Sequence, residues 1–322
     1  MKIGLIGAGQ LGSRHLQGLA NSNMKLEIEV VEPYENSVHM AKKRYYEALN
    51  NIEKEIRFCK NIDELSLNLD LVIVATTADI RFSVVSELLN KKNIKFLILE
   101  KVLFQRISEY YLLDELLDRK NVKCWVNHPR RMFPFYQNLK KELLNSKQIY
   151  FNVEGGNWGL GCNGLHFLDI FSYLANSNNI SIDNSGLHNK IYESRREKFI
   201  EFNGCLKGNI SEHIFSIFSH IKTVPIIITI LADNLHIIID EENGYIRYAS
   251  KNSNWKWIVK QEKIIYFQSE LTSLLIEDVL IKNSCNLPTY KESMNLHIKF
   301  INSLLGHMSN IKNENCSVCP IT

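Results

Sequence analysis

The stretch KIGLIGAGQLG, residues 2–12, decides the fold of the first part of the chain. A short apolar run leads into three glycines spaced as G-x-G-x-x-G, and a helical pattern begins at the third. The motif consists of Gly7, Gly9 and Gly12, with Gln10 and Leu11 before the last glycine. In this spacing the first glycine permits a tight turn, the second lets backbone approach a pyrophosphate, and the third lets helix and strand pack closely. We therefore predict that these five residues bind a dinucleotide at the helix N-terminus.

Short apolar runs alternate with helical patterns from residue 2 to about residue 126. The predicted strands are KIGLI, LEIEVV, EIRFC, LDLVIVA, KFLILE and VKCWV. The predicted helices are LGSRHLQGLAN, ENSVHMAKKRYYEAL, DIRFSVVSELLNKK and SEYYLLDELLDRK. This alternation predicts a Rossmann-type α/β domain, a doubly wound parallel sheet with helices on both faces.

An acidic residue follows the glycines at the distance that a dinucleotide site requires. Glu32 lies 20 residues beyond Gly12, at the end of the second predicted strand. A carboxylate there can bind both ribose hydroxyls of the adenosine half, and it would repel a 2′-phosphate. We therefore expect Glu32 to bind the cofactor and the cofactor to be NAD. The alternative is a glycine-rich turn followed by an acidic residue at this spacing by chance.

Two further strand ends carry polar residues, and ligands bind at the carboxyl ends of strands in such sheets. Thr76 and Thr77 follow LDLVIVA, where they line the predicted cofactor path or are simply small polar turn residues. Glu100 and Lys101 follow KFLIL at the next strand end. A lysine that emerges from an apolar strand is either a functional group of the cleft or a solvated charge.

The pattern changes after residue 150. Runs such as VPIIITILA and LHIIID, near an Asn-Gly turn at Asn243 and Gly244, indicate antiparallel strands. Apolar residues on both faces of these strands need cover, which a second subunit can supply. A chain of 322 residues exceeds what one core usually supports. Because no linker separates the halves, we predict domains of residues 1–126 and 127–322.

The composition excludes several classes of protein. The chain has 45% hydrophobic and 23% charged residues, as an ordinary globular protein does. Its formal net charge is only +3, and lysines are interspersed with glutamates, so nucleic acid is not an expected partner. No window approaches the roughly 20 apolar residues of a membrane span, and glycines interrupt the first apolar run before it resembles a signal peptide. We expect a cytoplasmic protein without a membrane partner.

The seven cysteines favour reduced thiols, because they are odd in number and widely spaced. Cys316 and Cys319 form one C-x-x-C pair with no second pair or nearby histidine. We interpret it as two unrelated thiols instead of a zinc or redox site, and we expect no metal.

Several motifs, taken in order, resemble the glucose-fructose oxidoreductase / inositol dehydrogenase / MocA (Gfo/Idh/MocA) family. They are GAGQLGSRH, ATT after the fourth strand, LEKV after the fifth, NHPRR after the sixth, and GGNWGLGCNGLHFLD downstream. The resemblance covers nearly the whole chain. It implies a Rossmann domain followed by an α+β domain on an open, largely antiparallel sheet, assembled as a homodimer or homotetramer. The closing residues resemble members encoded with surface-polysaccharide biosynthesis genes.

The resemblance also implies roles for single residues. Typical members carry E-K-P, whose lysine contacts the nicotinamide end and the substrate, and Lys101 takes this position beside Val102. Many members use D-x-x-x-H as the catalytic acid/base, and here His166 takes the histidine position while Cys162 stands at the aspartate position. Asn127, in NHPRR, is expected to bind the cofactor.

Other residues can replace the missing aspartate, because a thiol orients imidazole poorly. Asn163 and Asp169 are each three residues from His166 and within reach on a helix. We expect Asn163 to face the substrate, and Asp169 to bind substrate, orient His166 or bond a backbone group. The bland alternative for His166 is a half-buried structural histidine.

Two more side chains are candidates for substrate binding. Arg131 can reach an anionic group of the substrate, although an ion pair within the protein is equally compatible with its position. Trp158 can stack on a sugar ring or a base, whereas Trp125 fits the core.

These features predict an NAD-dependent oxidoreductase that transfers hydride between nicotinamide and a carbinol carbon of a sugar or nucleotide-activated sugar, in cell-surface glycan biosynthesis. His166 would remove the hydroxyl proton and Lys101 would polarise that oxygen. The alternatives are redox-assisted glycoside hydrolysis, in which NAD stays bound, and a non-catalytic sensor of sugar or NAD. Analogy of fold indicates only the class of substrate.

Overall fold

A six-stranded parallel sheet forms the first part of the protein. The computed structural model describes all residues, Met1–Thr322. The strands are β1 (Lys2–Ile6), β2 (Leu26–Val31), β3 (Lys54–Cys59), β4 (Asn68–Val74), β5 (Asn93–Glu100) and β6 (Lys123–Asn127). They lie in the order β3-β2-β1-β4-β5-β6, and all neighbouring pairs are parallel. The strand order reverses between β1 and β4, which places the ligand-binding crevice at their carboxyl ends.

Four helices accompany these strands. They are α1 (Gly12–Ala20), α2 (Glu35–Ala48), α3 (Ala78–Lys91) and α4 (Ile107–Lys120). The predicted Rossmann fold is confirmed, with each predicted strand and helix present. β1 and β4 are buried over most of their length, as a sheet covered on both faces requires.

An eight-stranded mixed sheet forms the second part. Its strands are β7 (Ile149–Gly156), β8 (Ile180–Leu187), β11 (Gly204–Ile210), β12 (His213–His220), β13 (Val224–Ala232), β14 (Leu235–Asp240), β15 (Tyr245–Ser250) and β16 (Ile258–Gln261). β9 (Tyr192–Glu193) and β10 (Ile200–Glu201) form a separate ribbon. The order is β16-β15-β14-β13-β7-β12-β11-β8, and only β7 and β12 pair in parallel. The prediction of a largely antiparallel sheet is therefore confirmed.

The remaining helices are α5 (Pro134–Leu143), α6 (Leu160–Ala175), α7 (Gln268–Glu277) and α8 (Tyr290–Lys312). α6 covers one face of the mixed sheet. Phe151 of β7 stacks on Phe171 of α6, with 4.9 Å between ring centroids, and both are fully buried. Side chains alternate between buried and accessible along β7, so one sheet face contributes to the core and the opposite face is accessible.

The chain divides into two compact units. One comprises Met1–Phe104, Ser108–Pro129 and Tyr266–Lys291, and the other comprises Gln105–Ile107, Arg130–Ile265 and Glu292–Thr322. The first unit contains the parallel sheet with α7, and the second contains the mixed sheet, the ribbon and α6. No helix has both the length and the apolar character that crossing a membrane requires.

Candidate functional site

The glycine-rich turn between β1 and α1 contains one glycine that packs tightly and one that faces open space. A Cβ atom on Gly12 would lie 1.8 Å from the carbonyl oxygen of Gly7, so only glycine fits there. A Cβ atom on Gly9 would have no protein atom within 4 Å. Gly7 itself has a φ of +85°, which a side chain would strain. The turn therefore leaves backbone accessible on the side of Gly9.

Backbone donors of this turn lack partners within the protein. The N–H groups of Gln10 and Leu11 have no intramolecular acceptor, whereas the N–H of Ser13 donates to the carbonyl of Gly9 at 2.9 Å. Unpaired N–H groups at the start of a helix bind phosphate well. The turn thus fits the pyrophosphate of a dinucleotide.

The carboxylate of Glu32 is held against the same turn. Its Oε2 accepts the N–H of Ala8 at 2.7 Å, and its Oε1 accepts the N–H of Tyr34 at 3.1 Å. Each oxygen keeps a further lone pair, which suits the two hydroxyls of a ribose. Glu32 lies just after β2, next to β1, as the sequence predicted.

Arg44 of α2 adds a positive charge beside the turn. Its guanidinium donates to the backbone and side-chain oxygens of Gln10, at 3.0 and 2.9 Å, and to the Ser13 hydroxyl at 2.5 Å. None of these acceptors is charged, so they do not neutralise the guanidinium.

The carboxylate of Glu100 is enclosed in a buried network. Its Oε1 lies 2.8 Å from His15 Nε2 and accepts a hydrogen bond from Asn127 at 2.5 Å. His15 Nδ1 lies 2.9 Å from the Thr272 hydroxyl, and Asn127 also donates to Gln268 at 2.8 Å. Burial alone raises the pKa of Glu100, but the interactions with His15 and Asn127 outweigh it and hold the pKa below its ordinary value. The network brings Glu100 and Asn127 together and ties them to α1 and α7.

The turn that carries Lys101 is braced by Arg81. This buried arginine of α3 donates to the carbonyls of Val102 and Leu103 and, in the turn after β4, to the carbonyl of Thr76. Lys101 is partly exposed, and the Lys101–Val102 peptide bond is cis. Three carbonyls bonded to one guanidinium hold the two turns at fixed positions relative to each other.

The two threonines after β4 lie where the chain passes from the strand into α3. The Thr76 hydroxyl is buried and has no hydrogen-bond partner in the protein. Thr77 precedes α3, and its side chain makes no capping hydrogen bond. An unsatisfied buried hydroxyl is costly unless a ligand bonds it. The glycine turn and Glu32 fit a dinucleotide, and cofactor binding by the two threonines remains a prediction.

In the second unit, α6 presents one narrow accessible face. Of residues 160–169, only Cys162, Asn163 and His166 are partly exposed. Residues three and four apart share a helix face, so these side chains form one polar stripe on an otherwise buried helix. We call this set the α6 stripe.

A carboxylate from the ribbon lies against the start of α6. Glu201 Oε2 accepts the N–H of Gly161 at 2.7 Å, and its Oε1 accepts the N–H of Cys162 at 3.2 Å. Burial raises the pKa of Glu201, while hydrogen bonds from the Cys162 thiol and these N–H groups partly oppose it. Glu201 thus supplies a carboxylate beside Cys162.

Trp158 and Asn163 are tied to backbone near the α6 stripe. The Trp158 indole N–H donates to the carbonyl of Phe218 at 3.1 Å, and its ring packs edge-on against Phe167. The Asn163 amide donates to the carbonyl of Trp158 at 2.7 Å. Both side chains remain partly exposed. Their predicted contacts with substrate remain predictions.

Arg131 and Asp169 bind each other. Two parallel hydrogen bonds of 2.9 and 2.8 Å join the guanidinium to the carboxylate, and the exposed fractions of the two residues are 7% and 1%. Arg130 makes a similar pair with Glu241, which also accepts the Tyr136 hydroxyl at 2.5 Å. The ion-pair alternative considered for Arg131 thus describes its observed contact, and Arg130 is paired in the same way. Their roles in substrate binding remain predictions.

Sequence reasoning did not identify His15, Arg44, Arg81 or Glu201. His15 follows the glycines by three residues in GSRH, a spacing that places it on α1 facing the sheet. Arg44, Arg81 and Glu201 carry no local signal, because their partners lie at distant positions along the chain. No group of three or more histidines, cysteines or acidic residues is arranged to hold a metal ion.

Solved structures share this fold over nearly the whole chain. A Gfo/Idh/MocA family oxidoreductase from Vibrio cholerae is 16% identical over 98% of this chain and 100% of its own, with a TM-score of 0.69. UDP-N-acetylglucosamine 3-dehydrogenase GnnA from Acidithiobacillus ferrooxidans is 12% identical, covering 94% and 96%, with a TM-score of 0.68. The transcriptional regulator Gal80p from Kluyveromyces lactis is 14% identical, covering 99% and 94%, with a TM-score of 0.70. At these identities the likeness establishes the fold alone.

Comparison of the sequence itself with known proteins agrees with the site in the first unit. No curated protein matches the chain. Residues 1–128 match the model of an oxidoreductase family described by its NAD-binding Rossmann fold, GFO_IDH_MocA. This segment contains the glycine turn, Glu32, both threonines and the Glu100 network. Residues 1–128 therefore form an NAD-binding Rossmann fold that is similar to that of the Gfo/Idh/MocA family of oxidoreductases.

Proposed function

We propose that this protein is an NAD-dependent oxidoreductase that transfers hydride between nicotinamide and a carbinol carbon of a sugar or nucleotide-activated sugar. The observation that carries the proposal is the glycine turn with unpaired N–H groups and open space at Gly9, with the carboxylate of Glu32 held against it. Unpaired donors and an open cradle are expected of a binding site and have no use in a packing turn.

The choice of NAD over NADP follows from Glu32. Its carboxylate is fixed by the N–H groups of Ala8 and Tyr34, so it cannot swing away from a 2′-phosphate without losing both bonds. Repulsion between the two negative charges therefore disfavours NADP.

Two side chains of the protein are proposed to act on the substrate hydroxyl, one by taking its proton and the other by polarising its oxygen. When bound, nicotinamide supplies the centre that accepts or donates hydride. His166, in the α6 stripe, is proposed to take the proton of the substrate hydroxyl as a general base. Lys101 is proposed to polarise the same oxygen by its positive charge. The turn braced by Arg81 holds the backbone of Lys101 in place.

The substrate class is supported by the resemblance and by a protein of the same fold. GnnA is a UDP-N-acetylglucosamine 3-dehydrogenase. A nucleotide-linked sugar is therefore the first substrate class to test, and a role in cell-surface glycan biosynthesis is part of the proposal.

The test is to mix the protein and NAD⁺ with free, phosphorylated and nucleotide-linked sugars. Formation of NADH is followed by absorbance at about 340 nm, where the reduced nicotinamide absorbs. Lys101→Met should abolish turnover while NAD binding stays unchanged. Lys120→Met, at an exposed position in the last turn of α4, is the matched control and should keep full activity. Full activity of Lys101→Met would refute the role of the lysine.

The likeness to Gal80p favours a second candidate, a sensor that binds ligand without turnover. NAD binding with no absorbance change across the panel, and no sugar released from glycosides, would favour the sensor. Sugar released without net NADH would instead indicate redox-neutral glycoside cleavage.

We also propose that the protein forms a homodimer or homotetramer through the accessible face of the mixed sheet. Tyr150 of β7 lies in register with Ile214 of β12 and Leu231 of β13, and these side chains are 44%, 40% and 43% exposed. A row of exposed apolar side chains across three adjacent strands is typical of a protein interface. A second copy of the chain is the partner we propose.

A further inference from the structure

The start of α6 is capped from outside the helix. Its N-cap residue is Gly159, with a φ of +77° and no side chain to accept the first N–H groups. The carboxylate of Glu201, from β10, accepts the N–H groups of Gly161 and Cys162 instead. A residue about 40 positions away thus does what a serine or aspartate at the N-cap ordinarily does.

The glycines of NWGLGCNG make room for this carboxylate. A Cβ atom on Gly159 would lie 2.9 Å from Glu201 Oε1, and one on Gly161 would lie 3.0 Å from Oε2. Either side chain would therefore displace the carboxylate. The space beside the first turn of α6 is shaped for Glu201.

Capping alone does not account for an enclosed carboxylate. Water or a neutral side chain can accept the first N–H groups of a helix without the desolvation that a buried charge incurs. Burial raises the pKa of Glu201 despite the opposing hydrogen bonds, which is the direction that desolvation of the carboxylate gives. The Cys162 thiol also hydrogen-bonds the carboxylate, and Cys162 begins the α6 stripe. The charge therefore acts on the stripe itself.

We infer that Glu201 is a positioning residue of the α6 site, which fixes the first turn of the helix and keeps Cys162 as a neutral, hydrogen-bond-donating thiol beside His166. A negative charge against the sulfur disfavours the thiolate. Cys162 and His166 are one helical turn apart, where a thiolate would pair with an imidazolium and remove the neutral base. Glu201 thereby keeps the two side chains from exchanging that proton. The inference rests on the role of His166 in the proposed function.

The test is the alkylation rate of Cys162 by iodoacetamide in the NAD-free protein, followed peptide by peptide with mass spectrometry. Glu201→Gln removes the charge and keeps the side-chain shape, and the rate at Cys162 should rise by about tenfold, the change in thiolate fraction for one pKa unit. Glu193→Gln, at an exposed position on the neighbouring ribbon strand, is the matched control and should leave the rate unchanged. Cys205 on β11 reports general loosening of the unit.

An unchanged rate at Cys162 in Glu201→Gln would overturn the inference, and so would an equal rise at Cys205. If Glu201→Gln does not fold, Glu201→Asp, which retracts the charge by one methylene, should give a smaller selective rise. A rate equal to wild type in that variant would also overturn the inference. Because alkylation needs neither NAD nor substrate, its result does not depend on whether dehydrogenase activity is found. Where activity is found, kcat should fall in Glu201→Gln while the KM for NAD stays constant.

Discussion

Replacing Gly9 by alanine should separate cofactor binding from folding. A methyl group there would have no protein atom within 4 Å, and Gly9 is not among the glycines with positive φ. The folded protein therefore accommodates alanine without strain. Because alanine restricts the unfolded chain, the free energy of unfolding should stay unchanged or rise, by at most about 1 kcal/mol.

The same methyl group would obstruct a pyrophosphate. An N–H···O hydrogen bond brings nitrogen and oxygen to about 2.9 Å, so phosphate oxygens bonded to the N–H groups of Gln10 and Leu11 lie against the backbone of the turn. A carbon atom projecting into this open space forces them to withdraw. We expect the Kd for NAD to rise at least about tenfold, or ~1.4 kcal/mol.

The control for this variant is Gly12→Ala in the same turn. Its methyl group would lie 1.8 Å from the carbonyl oxygen of Gly7, so the backbone must move and the protein should lose about 1–3 kcal/mol or more. Thermal denaturation should show a lowered Tm for Gly12→Ala and not for Gly9→Ala, and calorimetric titration with NAD should show weakened binding for Gly9→Ala. Wild-type affinity for NAD in Gly9→Ala would refute the binding of pyrophosphate at this turn. An equal decrease of Tm in both variants would refute the inference that a side chain at Gly9 meets no protein atom.

Two further predictions concern the Glu100 network and the mixed sheet. The pKa of Glu100 is lowered in the folded protein, so its ionised form stabilises the fold above its unfolded pKa and that stabilisation is lost as pH falls through the folded pKa. As the pH falls, the Tm of wild type should therefore decrease more steeply than the Tm of Glu100→Gln. At neutral pH, Glu100→Gln should be about 1.5–3 kcal/mol less stable than wild type. Parallel curves of Tm against pH would contradict this prediction. Leu231→Asp should shift the mass measured by light scattering to that of a monomer, whereas Lys120→Glu, at an exposed position of α4 and outside the mixed sheet, should keep the assembly.

The parallel sheet was predictable because its strands are short, largely apolar or alternating runs that are bounded by turns. LDLVIVA and KFLILE, for example, became β4 and β5 with their side chains buried. The residues of the candidate site in the first unit were predictable for a related reason, since parallel strands bring their carboxyl ends to one edge. Strand ends carry a sequence signal, so Glu32 and Glu100 could be found from the sequence alone.

The partners of the site residues were not predictable. His15 follows the glycines closely, yet nothing local indicates that its ring contacts both Glu100 and Thr272. Asp169 had three possible partners in the sequence, and the structure pairs it with Arg131 through two hydrogen bonds. Contacts between residues far apart in the chain depend on how elements pack, which periodicity and motif spacing do not encode.

The two glycine-rich turns show why the same residue type needs a structure to interpret it. In GAGQLG the space that a side chain of Gly9 would fill is empty, and the adjacent N–H groups lack acceptors. In NWGLGCNG the corresponding space at Gly161 is taken by Glu201, which also satisfies the nearest N–H group. Open space beside unpaired N–H groups indicates a ligand-binding site. Space that is filled by a side chain bonded to the N–H groups indicates a residue that the fold itself places there. Ligand binding in the first turn should therefore be weakened by a single methyl group on Gly9, and the function of the second turn should depend on the charge of Glu201.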